Sequence, residues 1–280
     1  MSAGNADQLA YWNGPIGEVW AKAREKRDRD HAPLTEAVME LAAPRPGEHV
    51  LDVGCGSGTT TLLLAERVKP KGYVLGIDIS RPMLSVARRR GVAAKSSAFF
   101  VEGDVTDYHE FEPQSFDLAF SQLGVMFFAD PVAAFTNIRR AVKPGGRIVF
   151  CCWRHPVEHL WAFIPESAAK PFLPPSPPAD PSAPGRYSFQ NEDRIKSVLL
   201  QSGFHAPALT KLDAPIFAGA TPQEAAASLI DAGPLQRSLA NVDEATRAKV
   251  RVAVTERLAQ EMGPNGIYLT SAAWLVRASA

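Results

Sequence analysis

The run Val50-Leu51-Asp52-Val53-Gly54-Cys55-Gly56-Ser57-Gly58 sets a carboxylate two residues ahead of three alternating glycines. Residues Val50–Val53 have the apolar, β-branched character of a strand, so Asp52 arrives near its carboxyl end. The glycines then permit a tight turn in which backbone can approach a ligand closely. Phosphate and dinucleotide sites use the same logic, and the details separate them. G-x-G-x-x-G fails in both registers, because Thr59 or Thr61 stands where the last glycine belongs. A nicotinamide or flavin cofactor is disfavoured accordingly, and no G-x-x-x-x-G-K-[ST] occurs to suggest a nucleoside triphosphate. A carboxylate at Asp52 would repel a pyrophosphate and attract the ammonium of an amino-acid group.

Two further acids follow in the same relation to strands. Tyr73-Val-Leu-Gly-Ile-Asp78 ends in a carboxylate that can accept both hydroxyls of a ribose, and Ile79 beside it offers an apolar face to a purine. A helix cap is the competing role for Asp78, but Ser80 stands ready for that before Arg81-Pro82. Gly103-Asp104-Val105 closes a third strand: an acid there can accept from an exocyclic amine, and the Val105 N–H can address a ring nitrogen. Gly-Asp alone is a common turn. Its place at the carboxyl end of a strand favours binding, because ligands of open α/β sheets lie along that edge.

The elements that must hold these residues are legible in the pattern. Strands are expected at His49–Val53, Tyr73–Asp78, Ala98–Glu102, Phe116–Ser121 and Arg147–Trp153, with helices at Thr59–Val68, Arg81–Arg90 and Pro131–Val142 between them. Val132, Phe135, Ile138 and Val142 recur at helical spacing and mark one buried face. Alternating strands and helices with short connections predict a parallel sheet covered on both faces. Residues 9–43 read as helical, with a Tyr11-Trp12-Asn13-Gly14-Pro15 cluster and Trp20. Hydrophobic anchoring is the plain role for these aromatics, and a cover over a ligand mouth is the functional one. Eight prolines lie between 165 and 184, which predicts a loop or lid stem there. Beyond it, helices are expected at Asn191–Ser202, from Thr221-Pro-Gln-Glu224, whose residues form a capping box, and over Asp243–Met262. Strands near Ala206–Asp213 and Gly266–Ala278 could complete a seven-stranded sheet.

Residues 48–153 resemble the class I S-adenosylmethionine (SAM)-dependent methyltransferases. Val50–Gly58 matches that family's first motif, Gly76–Asp78 its ribose-binding acid and Gly103–Val105 its adenine site. Phe116–Ser121 matches the fourth-strand motif, and Val142-Lys143-Pro144-Gly145-Gly146 the turn before the fifth strand. The Trp12-Asn13-Gly14 start and the Ser121–Phe128 run are similar to the ubiquinone/menaquinone-biosynthesis-like small-molecule enzymes. The resemblance implies a Rossmann-like, seven-stranded, mostly parallel sheet with helices on both faces and a single domain: an N-terminal helical cap (1–45), a SAM-binding core (46–155), a proline-rich substrate-covering region (156–240) and a C-terminal helix and strand (241–280). It further implies that Asp52, Gly54, Cys55, Gly56 and Gly58 hold the methionine part, with the Ser121 carbonyl near the ammonium. Asp78 and Ile79, and Gly103, Asp104 and Val105, would hold the nucleoside. Cys55 is expected to be a small turn residue rather than a redox group.

On this reading the chain transfers a methyl group from SAM to an oxygen, nitrogen or carbon of a small molecule, leaving S-adenosylhomocysteine. The alternative is a SAM-binding scaffold without turnover. An apolar acceptor pocket draws on Trp12, Trp20, Met126, Phe127, Phe128, Trp153, Trp161 and Phe163, part of which must serve the core instead. If the acceptor carries a proton, His155 and His159 are the candidate bases. No metal is expected. Cys151-Cys152 with His155 and His159 makes a poor ligand set, because adjacent strand residues point to opposite faces.

Composition agrees with a small-molecule enzyme. Thirty basic and thirty acidic residues cancel, which gives no electrostatic reason to expect a nucleic-acid partner. A 46% hydrophobic share permits a sizeable core in 280 residues. The start lacks the pattern of a secretory signal, no apolar run reaches the length of a membrane span, and only three cysteines occur. A cytoplasmic monomer or homodimer is the expectation.

Overall fold

The computed structural model describes residues 5–175, 180–231, 235, 238–239 and 242–280. It divides into two compact units. One comprises Met1–Cys152, Pro181–Lys211 and Trp274–Ala280, and the other Trp153–Asp180 and Leu212–Ala273. Pro177, Pro178 and part of the 221–240 stretch lie outside the described residues.

The N-terminal stretch forms four short helices, α1 (Ala6–Asn13), α2 (Pro15–Lys22), α3 (Arg24–Asp30) and α4 (Ala32–Ala42). The alternating core then follows the expected order: β1 (His49–Val53), α5 (Thr59–Val68), β2 (Tyr73–Asp78), α6 (Arg81–Ala93), β3 (Ala98–Glu102), β4 (Phe116–Gln122), α7 (Pro131–Ala141) and β5 (Val142–Trp153). After it come α8 (Leu160–Ala169), α9 (Glu192–Gln201), β6 (His205–Gly219), α10 (Pro222–Asp231), α11 (Glu244–Ala259), β7 (Met262–Gly263) and β8 (Gly266–Ser279).

Strand order is β3-β2-β1-β4-β5-β8-β6, with the two-residue β7 paired only to β8. The expected seven strands form this path, and β7 is an addition. β1 pairs in parallel with β2 and with β4, β2 with β3, and β4 with β5. The order therefore reverses between β1 and β4. Right-handed crossovers place α5 and α6 on one face of the sheet and α7 on the other, and the gap between β1 and β4 is the topological switch point where such sheets bind ligands. Register sets Asp52 beside Gly76 and Phe120, and Asp78 beside Glu102. Val50, Leu51, Leu118, Ala119, Phe120 and Phe135 are fully buried, each large side chain contributing about 1.5–3 kcal/mol by leaving water.

Several element boundaries differ from the sequence reading. Val142 is buried as its helical spacing suggested, yet it opens β5 rather than ending α7. Asn191 and Ser202 flank α9 as caps, and the Asn191 side chain accepts from the Arg194 N–H. The proline-rich segment is not a loop from its start, because α8 passes through Pro165 and a single 3-10 turn covers Lys170–Phe172. Packing outweighs the lost backbone donor: Ala162, Ile164, Pro165 and Ala169 are buried, and Ile164 and Ala169 join the second unit's core with Leu229, Ile230, Val250, Val254 and Leu258. Among the described residues, no helix is long and apolar enough to cross a membrane.

Candidate functional site

The turn between β1 and α5 is built as its glycines require. Gly54, Gly56 and Gly58 adopt φ values of +68°, +53° and +81°, a region that side-chain-bearing residues enter only with strain. Gly54 carries a second constraint: a Cβ there would lie 2.8 Å from the Cα of Gly124, in the turn after β4. Gly124 has its own, since a Cβ on it would meet the Val53 carbonyl at 2.8 Å. The turns that flank the switch point therefore touch backbone to backbone. Sequence reasoning passed over Gly124 within its Ser121–Phe128 run, and no local pattern reveals a contact made across two strands. Ser121 reinforces the same junction, its buried hydroxyl donating to the Val53 carbonyl at 2.7 Å.

Asp52 is fully buried. One carboxylate oxygen, Oδ2, accepts from the hydroxyls of Thr60 at 2.8 Å and Thr61 at 2.7 Å, both in the first turn of α5. Its other oxygen, Oδ1, finds no hydrogen-bond partner among the described residues. Burial pushes the carboxyl up to about 7, against the pull of the two hydroxyls and with a further push from the charge of Asp78. A buried acceptor left in this state is costly and fits a cationic or hydrogen-bonding ligand group.

Asp78 is also buried and raised above the usual carboxylate range by that burial. It joins two loops. Its Oδ2 accepts from the Gly56 N–H and its Oδ1 from the Ser80 N–H, both at 2.8 Å. Ser80 does not cap α6 with its side chain, contrary to the sequence reading. Its hydroxyl instead donates to the Trp12 carbonyl at 2.9 Å. Each carboxylate oxygen of Asp78 retains acceptor capacity beyond one N–H, so the residue can still serve a ribose diol. Ile79 is half-buried beside it.

Gly103 follows β3, and its lack of a side chain serves Tyr108, whose ring a Cβ would meet at 2.5 Å. Asp104 accepts from the Thr106 N–H at 2.9 Å, closing the turn in which Val105 is buried. Cys55 is buried with its thiol against Gly76, and that burial pushes the thiol pKa well above its ordinary value.

The aromatic residues fall into two groups. In the first unit Trp12 is edge-on to Trp20 and to Phe127, with ring centroids 5.4 and 5.1 Å apart, and Met126 is buried nearby in sequence. In the second unit Trp153 and Trp161 flank His159, at 4.6 and 5.5 Å. Phe163 is exposed and Phe128 half-buried. His155 is exposed and caps a 3-10 turn through a 3.4 Å contact with the Val157 N–H. His159 is fully buried, and its Nδ1 accepts from the Ala272 N–H at 3.0 Å. A neutral ring accepting at Nδ1 carries its proton on Nε2, so taking up another proton means breaking the Ala272 bond. Cys151 and Cys152 are both buried, and among the described residues no group of three His, Cys, Asp or Glu is arranged to hold a metal.

The N-terminal helices make contacts with the site's loops that the sequence did not reveal. Asp28 accepts from the Thr59 hydroxyl at 2.7 Å, and Arg90 donates to the Ser57 carbonyl at 2.7 Å and to Thr59 at 2.8 Å. Asn13 bonds the loop after β2 on two sides. These contacts span more than thirty positions in the chain and leave no periodic trace.

Residues 51–150 match the methyltransferase domain family. The chain is 38% identical over 120 residues to nocamycin O-methyltransferase of Saccharothrix syringae, covering 41% of each chain. It is 40% identical over 107 residues to demethylmenaquinone methyltransferase of Symbiobacterium thermophilum, covering 38% of this chain and 42% of that one. It thus spans less than half the length of these curated relatives. The fold is shared with the YcgJ protein of Bacillus subtilis, with a TM-score of 0.59 at 18% identity over 89% of this chain and 98% of that one.

Proposed function

We propose that the chain, whose residues 51–150 match the methyltransferase domain family, is a class I SAM-dependent enzyme that methylates a small-molecule acceptor. One observation carries the reading. Asp52, Asp78 and Asp104 stand at or just beyond the carboxyl ends of three adjacent parallel strands, around a turn whose glycines hold positive φ.

The residues present fit SAM. Asp52 has a buried oxygen without a partner, suited to an ammonium, and Gly54–Gly58 leaves room for backbone to approach the methionine part. Asp78 has acceptor capacity for the ribose hydroxyls, with Ile79 beside the base. Asp104 and the Val105 N–H are assigned to the adenine edge, and the Ser121 carbonyl to the ammonium. When bound, SAM supplies a methyl group on a sulfonium, activated for in-line displacement with a neutral thioether leaving. The chain's task is alignment and exclusion of water, worth several powers of ten without covalent catalysis. The aromatic group of Trp12, Trp20 and Phe127, or that of Trp153 and Trp161, offers the apolar wall an acceptor needs. His159 serves through its bond to Ala272 rather than as a base.

Calorimetry tests the reading. SAM and S-adenosylhomocysteine should bind and NAD should not, and Asp78→Ala should weaken both adenosyl ligands at least tenfold. Undiminished binding to that variant would overturn the site. A methyl-transfer screen of phenols, quinols, amines and carboxylates then separates an enzyme from a scaffold.

A further inference from the structure

Asp78 is held by backbone N–H groups, on its own loop and on the neighbouring turn. A carboxylate gripped this way is only as well placed as the loop that carries it. Within the loop Ile79-Ser80-Arg81 the helix start lacks its usual cap: Ser80 is the N-cap residue of α6, yet its side chain makes no capping bond. The support arrives from α1, about sixty-six residues away.

Asn13, the last residue of α1, supplies it with both ends of its amide. Nδ2 donates to the Ile79 carbonyl at 2.8 Å, and Oδ1 accepts from the Arg81 N–H at 2.9 Å. The latter satisfies one of the orphan donors of α6, a role usually taken by the N-cap side chain. The amide is itself oriented by a second Nδ2 bond to the Leu9 carbonyl within α1, at 2.9 Å. A bond of opposite sense runs beside it, from the Ser80 hydroxyl to the Trp12 carbonyl at 2.9 Å. Ser80 is fully buried and Trp12 nearly so. Three cross-chain bonds therefore fix the backbone on both sides of the N–H that meets Asp78. Only a side chain with a donor and an acceptor a single methylene from the backbone can make the Asn13 pair. Aspartate lacks the donor, serine the reach, and glutamine the length match.

We propose that Asn13 is a positioning residue for the cofactor: it sets the β2–α6 loop, and through it the Asp78 carboxylate, in the geometry that accepts the ribose. The inference rests on the assignment of Asp78 to the ribose. It gives the N-terminal helices a purpose beyond covering apolar surface, since the acid that binds ligand and the amide that places it come from opposite ends of this contact.

The test is a double-mutant cycle on the full chain, with S-adenosylhomocysteine affinity read by calorimetry. Asn13→Ala should weaken binding about fivefold, the worth of roughly one net hydrogen bond. In the Asp78→Ala background the same change should cost less than about twofold, because coupled residues do not add. Ser80→Ala, which deletes the bond to Trp12 and keeps the Ser80 N–H, should weaken binding in the same direction and keeps the question open if Asn13→Ala folds poorly. A second readout is amide hydrogen exchange in the ligand-free protein. Gly56 lies on the other loop and reaches Asn13 only through Asp78, so its N–H should exchange faster in Asn13→Ala. Additive losses in the cycle, or an unchanged Gly56 amide, would overturn the positioning role while leaving the site intact. Full affinity in Asp78→Ala alone would instead remove the ribose assignment on which the role depends.

Discussion

Asp52 and His159 are both fully buried ionisable residues, one in each compact unit, and their surroundings are opposite in kind. Asp52 stands among hydroxyls and glycine backbone, with one oxygen satisfied twice and the other left over. His159 stands between two indoles, with Nδ1 committed to a backbone N–H. The first arrangement is costly until a ligand completes it. The second has its Nδ1 already occupied by a backbone N–H. Burial alone thus does not mark a functional group. What sets Asp52 apart is acceptor capacity left unused beside the β1–α5 turn.

The contrast can be broken most sharply at the turn that shapes the Asp52 side. Gly54→Ala forces both a left-handed backbone and a 2.8 Å approach to Gly124, so chemical denaturation should show a loss of about 2–5 kcal/mol. A small loss would mean that the backbone contact is loose.

Asp52 itself should reveal its unfilled state through pH. Its carboxyl is raised to about 7, whereas in the unfolded chain it ionises near the usual value of about 4. Between those limits the folded chain holds a proton that the unfolded chain has released. Stability without ligand should therefore fall as pH rises from about 4 to about 7, then level off. Affinity for SAM should move the other way, rising by up to about tenfold per pH unit below 7 as the carboxylate forms to meet the ammonium. Asp52→Asn should flatten both profiles, and slopes that survive in that variant would assign them elsewhere.

On the other side, His159→Ala strands the Ala272 N–H and should cost about 1–3 kcal/mol in unfolding free energy. Asparagine, which can offer an oxygen near the same place, should recover part of that stability. If turnover falls in both variants while stability recovers, the residue has a chemical role after all. The smallest effect is expected at exposed His155, where alanine should change stability by less than about 0.5 kcal/mol and leave turnover intact.

How far these features were legible follows from the range of the interactions behind them. The strands through Trp153 and the acids at 52, 78 and 104 could be placed because apolar alternation, helical spacing and turn glycines are local signals. Even the failed dinucleotide register was informative, since it is a statement about six consecutive residues. The β1–β4 backbone contact was not legible: Gly124 resembles any glycine after a strand until Gly54 is brought against it. Asn13 sat in a cluster that drew notice for its aromatics, while its amide, the group that reaches Ile79 and Arg81, has no pattern to announce it. Pro165 misled in the opposite direction, because a residue that weakens a helix in isolation is held there by the core it joins.

The touching glycines also matter to anyone who wishes to change what the chain accepts. Gly54 and Gly124 exclude each other's side chains, so neither position can be opened by enlarging its neighbour or repaired by shrinking it. A mutational library that includes them spends its diversity on chains with a disrupted turn. One that holds this pair fixed and varies the aromatic residues of the proposed acceptor wall leaves that backbone contact in place.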